Sequence, residues 1–425
     1  MVPVLFGMMG FAVDLGRLYL VRGELNQAAN AMALAAAVRL IGTTVSLDNA
    51  TATARQSLDD SNRLGNKYYF GSLVIGQDTG NLTSTVSDPA YYATVAAATG
   101  VDTASGQADG ATARQVQITL AADAPLLFWG LLSAGQSRKT PIAAQAVAGI
   151  SAPLCTACGI EPFAVAAIDV TDTINFGFGD PAAGALYTFA FSCTGTPAPG
   201  FIVGTAQLLQ YAIINRYDTN NTVLDETQQL YRYGAQGLLA SSNPNPTGSA
   251  VPLACVGIND PLETIWASAT PSACARAAPV SVTEALCGLY SRIDNTVTPE
   301  ACTNNVTGFA DLSAAYQPDT DLVTGQADLY TAYIGNGRRI ITVAVVDALA
   351  PNSGATMTVL GFRQFFLEPP QDGTIPFFSP SDPNGRFAAM YIGSPAPLRQ
   401  GWIDDRFQVG CPAQPSGPGK VVLHQ

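Results

Sequence analysis

The side chains with most chemistry to offer are eight cysteines, Cys155, Cys158, Cys193, Cys255, Cys274, Cys287, Cys302 and Cys411, all in the last two thirds of the chain. An even number points to disulfide bonds made in an oxidising compartment. The nearest sequential pairings are Cys255 with Cys274 and Cys287 with Cys302, and the connectivity stays open. Cys155-Thr-Ala-Cys158 has the spacing of a redox or haem-attachment motif. A c-type haem needs His directly after the second Cys, and Gly159 stands there. A thioredoxin-like pair opens a helix with a lowered thiolate pKa, whereas Pro153, Gly159 and Pro162 frame this one as a loop. Structural disulfide chemistry is the expectation.

Catalytic material is sparse. The one histidine, His424, lies next to the end, in what reads as a mobile tail, so imidazole acid/base chemistry and zinc or haem ligation lack their usual residue. A serine nucleophile would need a lysine or carboxylate base, and the only lysines are Lys67, Lys139 and Lys420. No phosphate loop, Gly-x-Ser-x-Gly elbow or His-Glu-x-x-His helix is present. The oxygen-rich run from Asp218 to Glu226 lacks the glycine that an EF-hand turn requires at its sixth position and reads as a solvated turn. The expectation is a protein that is not an enzyme and holds no cofactor or metal.

Composition narrows the partners. The 425 residues are 48% hydrophobic and only 12% charged, against roughly 25% charged in an average soluble domain, with 40 Gly and 28 Pro. That suits exposed, loop-rich β-proteins with sizeable cores. A formal net charge of −12 supplies no basic cluster to neutralise phosphates, so nucleic acid is excluded as a partner.

The elements begin with a long helix. Residues 1–13 are apolar, Asp14, Arg17, Arg22 and Glu24 follow, and an alanine-dense run continues without proline after Pro3. The composition predicts one helix over 1–41, roughly 60 Å long, ended by Gly42-Thr43-Thr44, and a second over 46–64 capped by Ser46 or Asp48. The apolar opening is short for a bilayer span, which needs about 20 residues. It is also unlike a signal peptide, because the basic residues follow the apolar core. Arg17 lies three residues after Asp14, within pairing distance along the helix or across to a neighbour. Ala28, Ala29 and the alanines after them permit close helix packing.

Strand-like runs follow at 69–75, 91–98, 115–121 and 142–150, with a short apolar helix at 125–132. From Cys155 the cysteines and most prolines appear. Strands are expected at 163–169, 186–192, 338–346 and 355–367, with helices at 205–216 and 282–293.

The segment GFAVDLGRLYLVRGELNQAANAMALAAA, residues 10–37, resembles the N-terminal signature of the TadE/TadG-like proteins of tight-adherence (Tad, or Flp) pilus assembly. Its Asp-x-Gly-Arg, its Leu-Asn-Gln-Ala-Ala-Asn step and its alanines carry the resemblance. Residues 114–150, 155–165 and 338–370 are also similar to the family. The resemblance implies a membrane-inserted, pilin-like component of a surface appendage, with Asp14, Arg17, Arg22, Glu24, Ala28 and Ala29 on the assembly helix. Some such proteins carry a metal site of the form Asp-x-Ser-x-Ser. Asp169-Val-Thr171-Asp-Thr173 imitates it loosely, and Asp311-Leu-Ser313-Ala-Ala315 lacks the second hydroxyl.

The expected fold is therefore α+β, a long N-terminal pilin-like helix followed by antiparallel β-rich domains. Residues 1–64 form the helical stalk, 65–150 a small sheet completing a pilin-like unit, and 151–425 a disulfide-bearing outer domain. The expected role is a structural subunit of an extracellular filament, reached through the inner membrane and periplasm, with itself or other pilins as partner. Two alternatives remain: an inner-membrane minor pilin or assembly component, and an adhesin whose outer domain offers Trp266, Trp402 and Tyr391 as contacts.

Overall fold

The structure is a computed structural model. It describes residues 2–59, 84–126, 139–158, 160–161, 163–191, 207–215, 255–259, 261–264, 289, 292–293, 318–321, 329–349, 356–368, 385–398 and 416–424. The expected strand at 69–75, nearly all of the helix at 125–132, and Cys193, Cys274, Cys287, Cys302 and Cys411 lie outside them, as does most of the expected helix at 282–293.

The chain divides into two compact units, residues 1–150 with 421–425, and residues 151–420. In the first, α1 spans Val2–Ala37 and α2 Ser46–Asp59. α1 ends a few residues before Gly42 because its last turn tightens: the N–H groups of Arg39 and Leu40 donate to the carbonyls of Ala36 and Ala37, three residues back. The Ser46 hydroxyl bonds the carbonyls of Thr43 and Gly110, fixing the bend between the helices.

The helices cover a five-stranded antiparallel sheet. β1 (Ser84–Val86) and β2 (Ala90–Tyr92) both pair with β3 (Gln115–Pro125), β3 with β4 (Lys139–Ile150), and β4 with β14 (Val421–His424). The expected strand at 91–98 is interrupted by a one-turn helix, α3 (Val95–Ala98), started by the Thr94 hydroxyl accepting from the Ala97 N–H. Alternation sets the buried face: Val116, Ile118, Leu120 and Ala122 of β3, with Ala144, Ala146, Ala148 and Ile150 of β4, pack under Leu25, Ala28, Ala29, Met32, Ala33, Ala36 and Ala37 of α1. Small side chains on both layers bring helix and sheet close.

The second unit begins and ends beside itself. The Ser151 N–H donates to the Lys420 carbonyl, and the Lys420 N–H to the Ser151 hydroxyl. Beyond it, β14 pairs Val421 with Ile150 and His424 with Val147. The last residues are thus a strand of the first unit, not a tail of the second, and the second unit is an insertion between β4 and β14.

Its strands are β5 (Thr156–Cys158), β6 (Phe163–Ala166), β7 (Leu186–Phe191), β8 (Gln207–Asn215), β9 (Cys255–Gly257), β10 (Pro261–Thr264), β11 (Ile340–Val346), β12 (Thr356–Leu367) and β13 (Phe387–Gly393). Six close a barrel in the order β12-β11-β6-β8-β7-β13 and back to β12, with β10 bridging β12 and β8. Two pairs, β6 with β11 and β7 with β8, are parallel. β8 occupies the stretch expected as a helix at 205–216. Hydrogen bonding to β6 on one side and β7 on the other overrides a pattern that also fits a helix.

Aromatic residues fill the barrel. Phe163, Tyr187, Phe189, Tyr211, Phe365, Phe387 and Tyr391 meet inside, with Phe189 stacked on Phe387 at 4.6 Å and edge-on to Phe365 at 5.0 Å. A second layer, Leu154, Ile160, Val346, Met357, Val359 and Phe362, covers part of the outside. β11 is therefore buried along its whole length, which explains its unbroken run of apolar residues.

Candidate assembly interface

α1 is apolar on nearly every side over its first half, so the sheet, not the sequence, decides which side faces inward. Gly10 and Asp14 turn in, while Met9, Val13 and Leu20 stay exposed at 66%, 46% and 68%. These residues, with Gly16 and Gly23, recur at alternating spacings of four and three, the spacing of a helix-packing seam. A Cβ built on Gly16 or Gly23 would meet nothing within 4 Å. Tyr19 flanks the seam, 78% exposed. Gln27 and Asn30 continue it with polar groups before Leu34.

The inward side carries the expected residues in a different arrangement. Asp14 is 3% exposed and borders a crevice of about 180 Å³ with Phe11, Leu15, Leu18, Leu126 and Thr140. It thus lies against the β3–β4 hairpin of its own chain, one turn before Arg17, its expected partner along the helix or across to a neighbour. Arg17 and Glu24 are half-buried and Arg22 is exposed. Partial desolvation raises the Glu24 pKa above the ordinary carboxylate range. Ala28 and Ala29, on the underside of α1, pack on the chain's own sheet. The residues expected on the assembly helix thus occupy both its inward face and its surface, and the exposed seam runs beside them.

In the second unit, Cys155 is disulfide-bonded, and no cysteine among the described residues is free. Asp169 accepts from the Thr171 N–H and hydroxyl, and Asp172 accepts from the N–H groups of Ile174, Asn175 and Gly177. Both carboxyls are held below the usual carboxylate range, Asp169 first by the Thr171 hydroxyl and Asp172 first by the Asn175 N–H. Their oxygens shape a turn, and no group of three acidic, Cys or His residues able to hold a metal occurs among the described residues. Arg363 closes this loop on the barrel, donating to the carbonyls of Ile174 and Thr173 with its guanidinium 4.3 Å from the Phe176 ring centre. Tyr391 is fully buried in the barrel, which removes it as a surface contact. Trp266, Trp402, Asp218 and Asp311 lie outside the described residues.

Residues 1–39 match the family model described as putative Flp pilus-assembly TadE/G-like. The similarity to that family is confined to the N-terminal helix and the turn after it. The match spans α1 and the turn after it, and associates the chain with Tad pilus assembly and with an exported, envelope location. It leaves α2, the whole sheet and the whole barrel outside. No curated protein and no solved structure matches the chain. No helix among the described residues is long and apolar enough to cross a membrane.

Proposed function

We infer that this protein is a non-enzymatic structural subunit of a Tad-type surface filament, in which α1 packs through its outward seam against α1 of neighbouring copies. The observation carrying this is the exposed apolar seam from Met9 to Gly23 on a TadE/G-like helix whose opposite face is already covered by its own sheet. Fully burying one large apolar side chain is worth roughly 1.5–3 kcal/mol, so a seam of several gives helix association a strong drive. Glycines at Gly16 and Gly23 let two backbones approach closely. The sheet and the barrel then stand outside the helical core, and disulfides suit the barrel to an oxidising exterior.

Negative-stain imaging of material sheared from cells, with mass spectrometry of the filaments, tests this. Filaments composed chiefly of this chain support the reading. Filaments holding only traces of it, with the chain retained in the inner-membrane fraction, overturn it in favour of an assembly component.

A further inference from the structure

β5 and β9 form a separate two-stranded sheet, packed on the barrel through Ala157, that sets two cysteines opposite each other. Its antiparallel register pairs Thr156 with Gly257, Ala157 with Val256 and Cys158 with Cys255. The Ile258 N–H donates to the Cys155 carbonyl, so 155/258 is a hydrogen-bonded position. Alternation along an antiparallel ladder makes 158/255 a non-hydrogen-bonded position, where the Cα atoms approach to about 4.5 Å. That separation is inside the range a disulfide requires, about 4.4–6.8 Å.

Cys155 does not compete for either residue. It precedes a strand that ends at Cys158, and three residues of extended chain separate their Cα atoms by roughly 10 Å, beyond disulfide reach. The same three-residue offset separates Cys155 from Cys255 across the ladder. The disulfide of Cys155 therefore goes to a third cysteine.

We propose that Cys158 and Cys255 form a cross-strand disulfide. Two thiols lose two electrons and two protons to a protein disulfide of an exported oxidoreductase, which becomes a dithiol, by way of a mixed disulfide. The bond closes a loop of about 100 residues that contains β6, β7 and β8, half of the barrel. It also fixes the start of the segment in which the Asn259 N–H donates to the Val359 carbonyl and β10 bridges β8 and β12. The Cys-x-x-Cys motif then supplies two separate staples instead of one redox pair.

The test uses the exported full chain, unfolded without reductant, alkylated, and digested with trypsin and a glutamate-specific protease. Cleavage at Glu263 separates Cys255 from Cys274. In Cys158→Ser the one new alkylated cysteine should be Cys255, and in Cys255→Ser it should be Cys158. Alkylation at Cys274 in Cys255→Ser, or of both Cys158 and Cys255 in the unsubstituted chain, overturns the assignment. Should either variant fail to accumulate, fragmentation of the linked peptides from the unsubstituted chain decides it: Cys158 joined to Cys255 supports the bond, and any other partner refutes it.

Discussion

Glu161 and Arg292 form a buried ion pair in the second unit. The two side chains are 2% and 0% exposed, and Nη2 of Arg292 lies 2.5 Å from Oε1 of Glu161. Arg292 also donates to the carbonyl of Arg338 at 2.8 Å, and the Glu161 N–H donates to the Thr342 carbonyl, so the pair ties two segments to β11. Replacing Arg292 with Met takes a charge-assisted donor from a buried carboxylate and a donor from the Arg338 carbonyl. Breaking one partner of such a pair costs about 3–5 kcal/mol, and a unit of this size shifts by roughly 2–4 °C per kcal/mol. The unit's thermal midpoint should therefore fall by roughly 6–20 °C in Arg292→Met. Replacing both residues with Met removes both desolvation penalties and should restore at least half of that loss. Differential scanning calorimetry of the original chain, Arg292→Met, Glu161→Met and the double variant closes the cycle. A single variant as stable as the original, or a double variant no better than the worse single, refutes the account.

Glutamate at both Tyr19 and Leu20 should leave folding intact, because both are exposed in the isolated chain, yet reduce sheared filaments by more than about tenfold, since burying two apolar side chains is worth several kcal/mol; normal filament yield counts against the seam. Burial pushes the Tyr391 phenol up to about 12. A raised folded-state pKa contributes stability that is full below pH about 10 and is lost as pH climbs through the folded value. Spectrophotometric titration against Tyr391→Phe should therefore lose a late-ionising phenol, and ionisation at an ordinary pH argues against burial. In Gly149→Ala the new methyl would sit 2.5 Å from the Arg114 carbonyl oxygen and on top of the Gln115 side chain, so a loss of about 1–3 kcal/mol is expected in denaturant unfolding, and a neutral effect contradicts the packing.

Much of the first unit was legible because its periodicities are clean. The alanines of α1 and the alternating residues of β3 and β4 announce a helix on a sheet. Which side of α1 faces inward was hidden, since a helix apolar all round has no preferred side until a sheet supplies one. Asp14, expected to pair with Arg17 along the helix or across to a neighbour, is buried beside the hairpin, a position that the helix pattern alone does not give. In β8, Leu209 and Tyr211 alternate into the barrel, but Leu208, Ala212 and their neighbours also fit a helical stripe. Local pattern cannot separate the two without the flanking strands. β13, with two alanines and a methionine, has too weak a strand signal to stand out, and it forms because β7 and β12 pair with both of its edges. The return of Val421–His424 to the first unit spans the whole second unit in sequence, a distance over which no local pattern carries information.

The most direct measurement places a photo-crosslinking residue at Tyr19 in cells that carry the assembled structure, with one at Ala36, on the buried side, as control. Packing of α1 on α1 predicts a ladder of covalent multimers of this chain from position 19 and none from position 36. Crosslinks from position 19 only to lipid or to another protein would contradict it.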